Sequence, residues 1–187
     1  MLQAQTIAAG PQVIAEPSRS PEGLKRFLSQ VARFSAVFAF ACVSYLFFSR
    51  VVVSSVQVSG TSMYPTLKNS DRFLLNKWIF HFRAPRAAEI VVIRDPTDNL
   101  LSVKRVVGRP GDTLLFEGGK LYINGVQPKE PYIPAGQVTY PGPTYNAQTI
   151  ICGPGQYVVL GDNRQGSMDS RVYGAVPKER IVGLLVR

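Results

Sequence analysis

Two residues of this chain, Ser62 and Lys104, have the chemistry to form a covalent catalyst. Ser62 lies in Ser59-Gly60-Thr61-Ser62-Met63-Tyr64-Pro65-Thr66-Leu67, with a glycine before it and a proline after it. Lys104 lies in Leu101-Ser102-Val103-Lys104-Arg105-Val106-Val107-Gly108, an apolar run of strand character. A serine hydroxyl is a weak nucleophile until a base takes its proton. Lysine can be that base when it is neutral, and burial disfavours its charged form. The pair points to acyl transfer through a serine ester, with lysine standing where a triad has histidine.

The alternatives are weaker. His81 is the chain's only histidine and sits in Trp78-Ile79-Phe80-His81-Phe82, an aromatic and basic context that suits a membrane-facing surface better than a triad. The chain has no Ser-x-x-Lys, no His-Glu-x-x-His and no Walker-type phosphate loop. The Ser62 turn lacks the last glycine of the hydrolase elbow. For Lys104 the bland reading is a solvated strand lysine. Alternation places Ser102, Lys104 and Val106 on one face of that strand, and Leu101, Val103, Arg105 and Val107 on the other.

A third segment, Gly161-Asp162-Asn163-Arg164-Gln165-Gly166-Ser167-Met168-Asp169-Ser170-Arg171-Val172-Tyr173-Gly174, is dense in short polar side chains and arginines. Asp and Arg pair bidentately and can fix such a loop. Composition alone leaves a solvated polar loop equally open.

Short strands separated by Gly and Pro turns must position these residues. Val56–Val58, Arg72–Leu75, Glu89–Ile93, Thr113–Phe116, Lys120–Ile123, Gln156–Leu160 and Ile181–Val186 read as strands. Glu117-Gly118-Gly119 marks a hairpin. Residues 127–154 are rich in Pro, Gly and Tyr and read as loop or edge. The domain is therefore mainly β, built of antiparallel sheets.

Ahead of it, residues 1–33 read as a flexible tail and basic flank, residues 34–53 as a transmembrane anchor, and residues 54–187 as the catalytic domain. Phe34 to Ser49 carries no charge and would span about 24 Å as a helix, which Val51–Val53 can extend. The long polar stretch before it and the lack of a clean small-x-small site after it argue against a cleaved leader. The excess of Lys and Arg before the span places the N-terminus in the cytoplasm or stroma and the domain on the exoplasmic side. The net charge of +9 suits anionic lipid headgroups. Nucleic acid is not expected, because the basic residues are scattered and no recognition motif appears. Cys42 and Cys152 lie too far apart in the organisation to pair, and two isolated cysteines make no metal cluster.

Together the three segments resemble the type I signal peptidases, the bacterial and organellar leader peptidases. Ser62-Met63-Tyr64-Pro65-Thr66-Leu67 is similar to the family's nucleophile box. Lys104-Arg105-Val106-Val107-Gly108-Arg109-Pro110-Gly111-Asp112 is similar to its lysine box, and Gly161–Arg164 with Ser167–Arg171 to its third box. The resemblance implies Ser62 as nucleophile and Lys104 as general base. It implies Ser167 as the residue orienting the lysine amine, with Asp169 and Arg171 as a structural ion pair. Asp162, Asn163 and Arg164 would form the supporting loop, and Val58, Met63 and Val103 the walls of a shallow pocket that admits alanine. The implied fold is two antiparallel β-sheets, the implied substrates are preproteins bearing signal peptides, and no cofactor or metal is implied.

This sequence departs from the pattern in places. Gly60 stands where many members carry a serine that joins the oxyanion hole, which leaves that task to the Ser62 backbone N–H. Gln165-Gly166 and Tyr173 stand where Asp-Asn and Trp are common. Two rivals remain. A self-cleaving Ser-Lys peptidase of the kind attached to DNA-damage repressors should carry a DNA-binding helix pair instead of an anchor. A membrane-anchored β-rich binding or assembly protein would hold a site that does not turn over.

Overall fold

The computed structural model describes residues 21–47, 53–142 and 147–186. The chain divides into two units, Met1–Tyr45 and Leu46–Arg187.

The first unit carries helix α1, Pro21–Phe47. Proline suits the first helical position and Glu22 lies in the first turn, where a carboxylate is favoured. The helix therefore starts before Phe34 and takes in the basic flank that the sequence assigned to the tail. Lys25, Arg26 and Arg33 are good helix formers, so nothing in that flank stops the helix. The stretch Glu22–Phe47 is long and apolar enough to cross a membrane. Residues 1–20 of the expected tail and residues 48–52 of the expected anchor lie outside the described residues.

The second unit is mainly β, as the turn pattern predicts. Its strands are β1 Val53–Gln57, β2 Arg72–Asn76, β3 Ile90–Arg94, β4 Leu101–Gly108, β5 Thr113–Glu117, β6 Lys120–Ile123, β7 Ala147–Ile151, β8 Gln156–Leu160, β9 Val176–Pro177 and β10 Ile181–Val186. Two short helices, α2 Ile79–Phe82 and α3 Ser170–Tyr173, lie between them. Seven strands form one sheet in the order β1-β2-β10-β3-β4-β8-β9, and three form another in the order β6-β5-β7. All pairings are antiparallel. β5 and β6 meet at a two-residue turn in which Gly118 and Gly119 take φ of 56° and 76°. Such a turn follows the natural strand twist and favours glycine. The stretch read as loop or edge contains an edge strand, β7, paired with β5.

The strands separate two apolar clusters by face. Val91, Ile93, Val106, Val159 and Ile181 pack with Phe80 on one side. Val107, Val158 and Leu160 pack with Leu114, Phe116 and Ile150 of the small sheet on the other. β4 lies inside the large sheet between β3 and β8, so both of its faces are covered over its second half.

Candidate active site

β4 buries Lys104. Its side chain lies on the face of Val106, with Val91 opposite on β3. It is only 4% exposed and joins no ion pair among the described residues. Burial lowers its pKa, and the carboxylates of Asp169, Asp95 and Asp98 partly offset that fall. A buried lysine so biased toward the neutral form has the property a general base requires.

The strand register identifies what faces it. Arg105 pairs with Leu160, so one step further Lys104 stands opposite Gly161, just past the end of β8. A methyl group added to Gly161 would strike the Ser167 side chain and lie 2.5 Å from the Ser62 carbonyl oxygen. Gly161 is thus the point where the Ser62 turn and the third segment close on each other. Two hydrogen bonds hold that closure. The Asn163 N–H donates to the Ser62 carbonyl at 2.9 Å, and Asn163 Nδ2 donates to the Thr61 carbonyl at 3.1 Å.

Ser62 itself is half-buried. Its turn is drawn by the Tyr64 N–H donating to the Thr61 carbonyl and the Leu67 N–H donating to the Met63 carbonyl. Beneath the turn, Val58, Met63 and Leu67 form a buried apolar cluster against Val103, Ile90, Phe73 and Leu185. The three residues expected to wall a pocket therefore meet. Burying Met63 alone stabilises the turn by about 1.5–3 kcal/mol. Gly60 has φ of +105°, a conformation that L side chains rarely adopt. Glycine takes such a conformation without steric cost.

The third segment is fixed by three ion pairs, two of them buried and the third part-buried at its glutamate. Arg171 donates through Nε and Nη2 to Asp169 Oδ1 and Oδ2, both at 2.8 Å. Asp169 Oδ2 also accepts from the Gly161 N–H at 3.0 Å. Asp162 pairs with Arg105, and Arg164 pairs with Glu130 at 2.5 Å. Ser167 Oγ is buried with no hydrogen-bond partner among the described residues. Beside it opens a cleft of about 320 Å³ lined in part by Tyr140, Gln165 and Val172. Tyr173 is partly buried, with its hydroxyl oxygen out of solvent. Burial, with Asp95 and Asp169 adding to it, pushes its phenol pKa far up.

Several of these residues escaped the sequence reading. Arg105 was read only as part of a box, yet it is the partner of Asp162. Glu130, Tyr132 and Thr139 come from the stretch read as loop. Thr139 Oγ1 accepts from Arg164 at 2.8 Å, and the Tyr132 ring lies under the Arg105 guanidinium at 3.8 Å. The segment balances two aspartates with two arginines, so its sequence carried no signal that Asp162 and Arg164 would find partners elsewhere. His81 is exposed on α2, its ring beside Trp78 and in no ion pair among the described residues. No group of three or more His, Cys, Asp or Glu is placed to hold a metal ion among the described residues.

A family model described as signal peptidase, peptidase S26, matches residues 31–186. The chain belongs to that family. It is 37% identical over 139 residues to a probable signal peptidase I-2 of Synechocystis, covering 71% of this chain and 61% of that protein. It is 37% identical over 134 residues to signal peptidase I T of Bacillus subtilis, covering 67% and 68% respectively. Among solved structures it is similar to a signal peptidase I from Enterococcus faecalis at 30% identity, with a TM-score of 0.45, covering 56% of this chain and 98% of that one. The chain thus spans less than two thirds of the Synechocystis relative's length. The matched stretch of this peptidase S26 member contains Ser62, Lys104 and all three ion pairs of the third segment.

Proposed function

We propose that this protein is a membrane-anchored serine endopeptidase that removes signal peptides from preproteins, cutting after small-x-small sites. The observation that carries the reading is Lys104, a lysine buried in a sheet without an ion pair among the described residues. It stands opposite Gly161, the point where the nucleophile turn meets the third segment.

Neutral Lys104 takes the Ser62 proton, and Ser62 Oγ attacks the carbonyl carbon after the small residue. The tetrahedral oxyanion is held by the Ser62 backbone N–H. The protonated lysine then gives its proton to the leaving amine. Water, deprotonated by the same lysine, hydrolyses the serine ester and frees the signal peptide. Ser167 Oγ, without another partner among the described residues, accepts a hydrogen bond from the lysine amine and aims it. Val58, Met63 and Val103 wall the pocket for the small side chain. α1 anchors the enzyme with its N-terminus in the cytoplasm or stroma, the catalytic unit on the exoplasmic side and anionic headgroups nearby.

Cleavage of a purified preprotein in detergent by wild type, Ser62→Ala and Lys104→Met tests this. Wild type should cut after Ala-x-Ala while both folded variants are silent. Variants as active as wild type would overturn the dyad. A wild type inert on several preproteins would favour the anchored binding protein.

A further inference from the structure

On the catalytic unit, away from the residues assigned to chemistry, lies an open cavity of about 590 Å³. It is lined by Lys77, Phe80, His81, Arg94, Lys178, Glu179, Ile181 and Val182. Two features make it unusual. Its rim carries three permanent cations and a histidine against one carboxylate. None of these five groups enters an ion pair among the described residues. Its floor is apolar, since Phe80 and Ile181 belong to the buried core. Uncompensated cations gathered around an apolar floor leave charge that an anionic amphiphile would satisfy.

The segment beside the cavity adds a second, independent feature. Asn76 Oδ1 accepts from the N–H groups of both Trp78 and Ile79 at 3.0 Å and so starts α2. Arg83 closes its other end, pairing with Glu89 at 2.6 Å and lying over the Phe80 ring. This fixed turn buries Phe80 but leaves Phe82 77% and Trp78 37% exposed. Exposed aromatic side chains next to basic ones are the composition of a segment that sits at a membrane–water interface.

We infer that this cavity is a binding site for an anionic phospholipid headgroup, with Lys77, Arg94 and Lys178 holding the phosphate and Trp78 and Phe82 entering the interfacial layer. The inference rests on the membrane-anchored reading and gives that reading a specific lipid contact. It does not depend on Ser62 or Lys104.

Trp78 is the only tryptophan of the chain, so its fluorescence reports on this site alone. The full-length protein is placed in nanodiscs of phosphatidylcholine with increasing phosphatidylglycerol. Trp78 emission should shift to the blue and become quenchable by brominated acyl chains as anionic lipid is added. Lys77→Gln and Lys178→Gln should each move the midpoint of that response about fivefold, the equivalent of about 1 kcal/mol per basic residue at an anionic surface. Emission that ignores phosphatidylglycerol, or a response unchanged in the double variant, overturns the site. A response to glycerol phosphate or an acidic peptide in detergent, with none to anionic lipid, also overturns it. Preprotein cleavage is measured on the same samples. Protein that cuts nothing while Trp78 still answers to anionic lipid contradicts the peptidase function and supports the site; the opposite pattern contradicts the site alone.

Discussion

Arg105 and Asp162 form a bidentate pair, Nε to Oδ1 at 2.8 Å and Nη2 to Oδ2 at 2.6 Å, with both side chains buried. Arg105 follows the candidate base directly on β4, and Asp162 follows Gly161 in the third segment. The pair therefore ties the lysine strand to the loop that carries Ser167. Arg105 Nη1 also donates to the Ala88 carbonyl at 2.7 Å, and Tyr132 covers the guanidinium face. An arginine held on every side in this way cannot move without moving the loop.

Asp162→Ala leaves that guanidinium buried and without its counter-charge. Loss of one partner of such a pair costs about 3–5 kcal/mol. Thermal or urea unfolding should show that loss, together with a fall in preprotein cleavage. Replacing both residues by apolar ones of similar volume should recover much of the stability but not the activity. A single variant as stable as wild type would show that the pair does not tie the two elements.

Lys104 links activity and stability to pH with a fixed sign. Its folded pKa lies below the ordinary value of 10.5, chiefly because it is buried. Between the two values the unfolded chain binds more protons, so stability rises with pH across that window. Below the folded pKa the penalty for a buried charge is present in full, and above 10.5 it has vanished. Lys104→Met should therefore be more stable than wild type at neutral pH, with the advantage shrinking toward pH 10.5. Wild-type cleavage should fall as pH drops through the lowered pKa. Urea titrations and a kcat/KM profile across pH check both, and a flat profile would remove Lys104 from the role of base.

Gly161→Ala places a methyl group against the Ser167 side chain and the Ser62 carbonyl, where no space exists. One neighbour is backbone, so the nucleophile turn or the loop must shift. A displacement on the scale of an ångström at a catalytic centre costs roughly 10²-fold in rate. We expect kcat to fall by that order, with KM much less affected. An unchanged kcat would mean that the junction is looser than its packing indicates.

Gly60→Ser would place a hydroxyl two residues before Ser62. Here φ is +105° with open space around the site, so strain rather than collision opposes the change. A non-glycine residue in such a region costs about 1–3 kcal/mol. The variant should melt earlier without any gain in kcat. A stable variant with raised kcat would show that the turn can relax to use the hydroxyl.

The three polar boxes, the apolar N-terminal stretch and the alternation of the strands were legible in the sequence, because each is a local pattern. Ser62 needs its turn residues within a few positions of it. Lys104 shares its strand face with Ser102 and Val106, which the alternation alone gives. The hairpin at Gly118-Gly119 follows from glycine's access to positive φ. Tertiary structure alone decided what those patterns meet. The partners of Asp162 and Arg164 lie 57 and 34 residues away along the chain. No local rule can say which of many arginines and carboxylates a buried charge will find, because the register of β4 against β8 and the return of residues 130–140 over the third segment set those distances. The same holds for Gly161. Its sequence context shows a turn, and only the packed fold shows that its missing side chain lets Ser62 and Ser167 approach.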